Sequence, residues 1–531
     1  MKIGLDFGMT NSTISFYDDE KRLVNFRLHA ADNDYIPTAI SYNKKKLEDI
    51  SIGLSARGNI TDSDYDTYEK FKLKLGTGFS APLPGKTKTP IDVTHDFLLS
   101  FLREFKQDQN KDIDGIVMTV PATWVRESSN QTARENIEKI FSKMGYESEI
   151  QLESEPVAAA VFFCHSYKNN KKNKHGTDYN GFITVIDYGG GTLDVTICRS
   201  DGKTINVLER YGYGEDNETK GRAGVAFDEA VTDKLIADNN LDIKPGSPGY
   251  IRLREQFERK KIIERKVTDY LKLYYDDPSI LEGEHVFSLE YHDRQIKVTC
   301  EDLVHCFEKV NAPALNDSLK SAKEFFDAHK IDDTSQDNFK VLLVGGFSNF
   351  YPVEKVVREF FRSLPGIEDK RFDQPFPTMN RTFAISRGAA LIAQNIYEPV
   401  HTCPYNIGYV TYSIKGDSFA AEDKPVIQKG TKLADVKAAV FSDVVLKVAH
   451  TAASLRVYFD DGRPGGIGRR QLKVEESISE LFPNIGTDNE YRVGFSLNRN
   501  TVPTLHIVDK SGNEVKTSLF KLYEKLSIVE K

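Results

Sequence analysis

An eight-residue pattern occurs twice in this chain, as Ile3-Gly4-Leu5-Asp6-Phe7-Gly8-Met9-Thr10 and as Val185-Ile186-Asp187-Tyr188-Gly189-Gly190-Gly191-Thr192. Each copy predicts a strand ending in an aspartate, a tight glycine turn and a returning strand that holds Ile14 or Val195. Backbone N–H groups can wrap a phosphate only where the chain turns tightly and no side chain projects into the ligand, a need that Gly8 and Gly189-Gly190-Gly191 meet. Asp6 and Asp187 cannot sit comfortably beside phosphate without a cation between them, so Mg²⁺ held largely through waters is implied. Thr10 and Thr192 add hydroxyls. One glycine turn beside an aspartate is also what an ordinary hairpin uses. The duplication points instead to a polyphosphate gripped from both sides.

A third glycine element, Val341-Leu342-Leu343-Val344-Gly345-Gly346-Phe347-Ser348, is an aliphatic run ending in two glycines ahead of a helix. There the backbone can approach a flat ligand closely. Alone it reads as a strand-to-helix turn; in this order along the chain, the three elements suggest two phosphate hairpins and a nucleoside turn.

At 531 residues the chain has room for three or four domain-sized units. Up to about residue 396, short β-rich runs alternate with longer helical ones, as in 115–121 followed by a helical stretch over 128–144, which is an α/β pattern. The polar segment 168–174 has nothing to bury and reads as a solvated loop. From about Tyr397 the character changes: runs at 405–414, 438–448, 454–459 and 504–508 are separated by turns at 415–417, 460–462 and 510–513. They predict a separate all-β domain of sandwich size.

A net charge of -8 gives no electrostatic footprint for nucleic acid. The amino terminus reaches a buried-strand pattern within six residues, leaving no room for the apolar core of a signal peptide, and no apolar run approaches the ~20 residues that span a bilayer. The expectation is a cytoplasmic protein that binds neither nucleic acid nor membrane. Five scattered cysteines without a CxxC pair fit reduced thiols; Cys300, His305 and Cys306 read as part of an amphipathic helix rather than a metal site.

With the three glycine elements in place, further segments carry a specific resemblance. Thr119-Val120-Pro121-Ala122 resembles "TVPA", Glu155-Pro156-Val157-Ala158-Ala159-Ala160 resembles "EPTAAA", and Gly224-Val225-Ala226-Phe227-Asp228 resembles "GGxDFD" of the seventy-kilodalton heat-shock chaperones, DnaK-like members of the actin and sugar-kinase superfamily. The match covers about three quarters of the chain. In the β region, 401–408 resembles the family's "VTPLSLG", 426–431 its "LIKRNT", and 507–512 its last core strand and turn.

The resemblance implies an α/β, two-lobed actin-like ATPase domain over 1–396, a linker at 397–403 and a β-sandwich, peptide-binding-like domain over 404–531. It implies ATP/ADP with Mg²⁺, unfolded or extended polypeptide as partner, and possible co-chaperones. By the same resemblance Lys72, four residues before Gly76 as in "KRLIG", offers an ammonium to the γ-phosphate, while Glu155 and Asp194 orient water and Asp6 and Asp187 hold the Mg²⁺ shell. Gly8, Met9, Thr10, Asn11, Gly189, Gly190, Gly191 and Thr192 fall to the phosphates. Glu258, Lys261, Gly345, Gly346, Phe347 and Asn349 fall to the nucleoside.

Several positions depart from the family pattern. Met9 replaces the first threonine of "DxGTT", which predicts slower hydrolysis or a changed metal shell. Phe347 replaces a serine and Asn349 an arginine, putting adenine contacts and nucleotide preference in question. The connector at 395–400 lacks the aliphatic "DLLLLD" run, and only 519–531 stands where the family has a helical lid, so weak coupling and fast peptide release are expected. Two other functions fit less of this pattern: a nucleotide-switched binding or regulatory protein with little turnover, and a small-molecule kinase of the same superfamily.

Overall fold

In the computed structural model the described residues are 1–28, 35–75, 87–125, 128–146, 149–170, 173, 175–213, 223–264, 266–363, 368–376, 381–403, 406–415, 418–447, 455–460, 470–474, 490–518 and 528–529. Gly76, most of the 168–174 segment's lysines, the turns at 416–417 and 461–462, and nearly all of 519–531 lie outside them. The chain forms two compact units. One holds 1–74, 80–123 and 153–398; the other holds 75–79, 124–152 and 399–531.

The first unit is α/β and carries the duplication into three dimensions. Strand β1 (Lys2–Phe7) runs antiparallel to β2 (Asn11–Tyr17) and parallel to β3 (Gly115–Val120). After helix α1 (Glu155–Lys168), β4 (Asn180–Tyr188) runs antiparallel to β5 (Leu193–Asp201). Helices α2 (Gly224–Asp238) and α3 (Pro248–Ile263) follow, then β6 (Phe339–Val344), which lies parallel to β4. Both sheets therefore place a hairpin's first strand between its own return strand and a parallel neighbour. The apolar runs of β1, β4 and β6 are buried on both faces, as parallel-paired strands covered by helices require.

Helix α4 (Ala384–Ala393) closes this core through small residues. A methyl group built on Gly388 would stand 1.7 Å from the Ala158 carbonyl oxygen of α1, and one on Gly4 of β1 would stand 2.2 Å from both the Ala390 nitrogen and the Ser386 oxygen. Backbone meets backbone at both crossings, which explains why the segment from Val157 to Ala160 is so poor in bulky side chains.

The second unit contains a sandwich of two antiparallel sheets. One runs Ser418–Ile427, Asn406–Lys415, Leu455–Asp460, Arg470–Val474, Ile528–Val529; the other runs Val440–Lys447, Glu490–Leu497, Pro503–Asp509, Glu514–Ser518. Alternate residues Ile407, Tyr409, Val457, Val493, Phe495, Leu505 and Ile507 form its core.

The same unit holds the helix Ser128–Lys143, against which the turn between Glu490–Leu497 and Pro503–Asp509 is fastened by polar groups. Glu138 accepts from the Asn498 amide at 2.9 Å and the Asn500 amide at 2.5 Å; the Asn500 side-chain oxygen accepts from the Leu152 N–H at 2.8 Å; Arg134 donates to the Thr501 hydroxyl. Thr501 has φ +63°, a left-handed backbone that a β-branched residue adopts only under constraint.

On the outer face of the second sheet, His506 Nε2 lies 2.7 Å from the Ser496 hydroxyl and Nδ1 lies 2.6 Å from the Glu514 carboxylate. The relay looks nucleophilic, but the strands carrying Ser496 and His506 are each paired on both sides, so their ladder consumes the backbone N–H groups that an oxyanion would need. It is a diagonal cross-strand brace. His506→Ala strands two polar partners and should cost about 1–3 kcal/mol, seen as a lower unfolding midpoint for the sandwich, with His506→Gln recovering part of it. An unchanged midpoint would contradict the brace.

Candidate functional site

Strand register assembles the site. Asp6 pairs with Thr13 across the first hairpin and with Thr119 of β3; Asp187 pairs with Asp194 across the second and with Val344 of β6. Because β1 and β3, and likewise β4 and β6, are parallel, the glycine turns open at the carboxyl ends of their strands, where α/β sheets bind ligands. Gly345 follows Val344 directly with φ +83°, and a methyl built on it would stand 2.4 Å from Asp187 Oδ1. Only glycine can bring the third element this close to the second aspartate.

One cleft enclosing roughly 770 Å³, open to solvent, is lined by Asp6, Gly8, Met9, Thr10, Asn11, Lys72, Glu155, Asp187, Gly189, Gly190, Gly191, Thr192, Gly345 and Gly346. A methyl on Gly346 would meet nothing within 4 Å, so this glycine faces ligand space. The cleft also takes Thr13, Tyr35, Pro121, Thr382 and Ile385. Of these, only Pro121 belongs to a motif visible in the sequence.

Lys72 is buried on a short helical turn, its ammonium donating to the Phe7 carbonyl and, at 2.9 Å, to Glu155 Oε1. Asp194 is fully buried and in register with Asp187 but does not line the cleft. Glu258 lines a neighbouring void of about 10 Å³, room for roughly one water. Lys261 pairs with Asp228 and lies 5.4–5.8 Å from the ring centres of Phe227, Phe257 and Phe347. Phe347 is buried and stacks on Phe350 at 5.4 Å. Asn349 is exposed, its amide 3.4 Å from the Gly346 oxygen.

The electrostatics call for a cation. Burial, and then the neighbouring Glu155, push Asp6 up to about 7, while Lys72 and the Thr119 hydroxyl pull it back. Burial also raises Asp187 well above the usual carboxylate range, with Glu155, Asp194 and Asp6 adding to it. Asp187 Oδ2 is buried with no hydrogen-bond partner. Asp6, Asp187 and Glu155 all act on the Lys72 ammonium, so a divalent cation fits this donor set. Among the described residues no group of three His, Cys, Asp or Glu side chains is placed to hold a metal ion directly.

A pH dependence follows. The carboxyl of Asp6 is harder to ionise in the folded chain than at its ordinary 3.8, so its destabilising contribution is absent below about pH 4 and complete above about 7. In EDTA, Asp6→Asn should raise the melting temperature by several degrees at pH 8, corresponding to about 2–4 kcal/mol, and hardly at all at pH 4. An equal gain at both pH values would contradict this assignment.

No helix among the described residues is long and apolar enough to cross a membrane. The family model "Hsp70 protein" matches residues 80–458, more than half of the chain. Proteins named "Chaperone protein DnaK" are similar over 86–99% of this chain. The one from Mycoplasmopsis pulmonis is 24% identical over 99% of this chain and 79% of its own. That from Thermosipho africanus is 24% identical over 86% and 69%, and that from Thermotoga maritima 23% identical over 86% and 70%. Two glycine-turn hairpins in an α/β unit, a β-sandwich in the other unit and these matches together place the chain in the Hsp70 family, the heat-shock chaperone ATPases.

Proposed function

We propose that this protein hydrolyses ATP with Mg²⁺ and uses the nucleotide state to control its hold on unfolded or extended polypeptide. The observation that carries the reading is Lys72: a buried ammonium fixed by the Phe7 carbonyl of the first hairpin and by Glu155, and acting on both Asp6 and Asp187. Mg·ATP, when bound, supplies the cleavable anhydride and the neutralising cation. The chain's own part is positioning and charge. Backbone N–H groups around Gly8 and 189–191 receive phosphate oxygens. Asp6 and Asp187 hold the ion's water shell, and Lys72 sets positive charge where negative charge develops. Glu155 keeps Lys72 in place and, with Asp194, orients the attacking water. Glu258 serves the nucleoside end, with Lys261, Phe347 and Asn349 shaping the wall around it.

In this reading residues 1–396 bind nucleotide, 397–403 connect, and 404–531 bind polypeptide, with co-chaperones as further partners. Five buried free cysteines suit a reducing, cytoplasmic setting. Family membership does not favour the nucleotide-switch or small-molecule-kinase readings.

The test is the dissociation of a fluorescein-labelled extended peptide followed by anisotropy. Mg·ATP should speed release relative to Mg·ADP at least about fivefold, the lower end of ordinary allosteric coupling. Equal release rates would remove the coupling between nucleotide and polypeptide.

A further inference from the structure

The phosphate residues and Glu258 line two separate voids, and Met9 lines both. The phosphate residues line the larger cleft together with Gly345 and Gly346, whereas Glu258 lines the smaller void with Arg57, Glu69, Lys70 and Asp228; Met9 and Thr10 belong to both walls. Across the gap, a methyl built on Gly191 would stand 2.6 Å from Met9 Sδ and 3.1 Å from its Cε, and one on Gly190 would stand 2.9 Å from Thr10 Cγ2. The hairpins therefore touch, with the thioether laid over Gly191 and 8% exposed.

The second hairpin is anchored, since Gly189 and Gly190 accept from the N–H groups of Gly224 and Val225 at 3.1 and 2.9 Å. Met9 is the adjustable side of the contact: an unbranched side chain with three rotatable bonds and no hydrogen bond to break.

We propose that Met9 is a displaceable partition. A nucleoside triphosphate whose phosphates enter the cleft reaches the Glu258 carboxylate with its sugar hydroxyls only after the thioether swings off Gly191 and the two cavities join. Met9 thereby limits the rate of nucleotide entry and exit, a role separate from the loss of a hydroxyl near the phosphates. This inference rests on the nucleotide reading of the cleft.

Two measurements test it on the full chain. Association of a fluorescent N-methylanthraniloyl ATP with Mg²⁺, by stopped flow, should be about tenfold faster in Met9→Ala and Met9→Thr than in the parent and unchanged in Met9→Leu, which keeps the bulk. In the parent labelled with methyl-¹³C methionine, the Met9 resonance, one of five and identified by its loss in Met9→Leu, should shift on adding Mg·ADP. Association within twofold of the parent in both shortened variants, or a Met9 resonance that does not move, overturns the partition while leaving the nucleotide site intact. Failure of every variant, and of the parent, to bind nucleotide overturns both readings.

Discussion

Lys72→Ala should lower single-turnover ATP hydrolysis by about 10²–10³-fold while changing the Kd for Mg·ATP by less than about tenfold. The magnitude is that of removing one preorganised charge or donor from a site where charge develops in the transition state. The asymmetry follows from the geometry. In the proposed reading phosphate binding would draw on two glycine turns, their backbone N–H groups and a cation that Asp6 and Asp187 would hold, so one ammonium would be a small part of it. Hydrolysis needs positive charge at one point, and Lys72 is the cation that Phe7 and Glu155 fix there. Lys72→Arg should not rescue, because a planar guanidinium cannot occupy an ammonium's buried seat between a carbonyl and a carboxylate. Equal losses in binding and hydrolysis would make Lys72 a binding group only.

Gly388→Val should leave the first unit unable to fold at 37 °C, a loss of more than about 4 kcal/mol. Its Cβ would stand 1.7 Å from the Ala158 carbonyl oxygen, a main-chain atom that cannot rotate away, so α4 and α1 must separate. Separation would open the core formed by Val157, Phe163, Ile183, Leu342, Ala389 and Leu391. The readout is the yield of folded protein and the nucleotide-dependent melting transition; the sandwich transition should survive. A variant that melts with its parent would mean that this helix crossing is looser than backbone contact.

The parts legible in the sequence are those whose chemistry is local. An aspartate, a glycine turn and a threonine sit within eight residues, so both hairpins and the Gly345-Gly346 turn stand out before any tertiary contact is known. Lys72 has no such pattern around it. Only family resemblance points to it, and its partners lie 65 and 83 residues away. Tyr35, Thr382 and Ile385 reach the cleft singly from segments without a motif. The pairing of Lys261 with Asp228 inside a cage of phenylalanines is likewise set by how α2 and α3 pack, not by spacing. The sandwich strands are legible as β-rich runs separated by turns, whereas the polar fastening of Asn498, Asn500 and Thr501 to Glu138 and Arg134 joins residues more than 350 positions apart.

The most direct test of the central claim is single-turnover hydrolysis of Mg·ATP by the parent and by Lys72→Ala, each with and without an unfolded polypeptide. The account predicts hydrolysis that depends on Lys72 and accelerates when polypeptide is added. Tight ATP binding with no turnover in either protein would contradict it, leaving a nucleotide-binding protein that does not run a chaperone cycle.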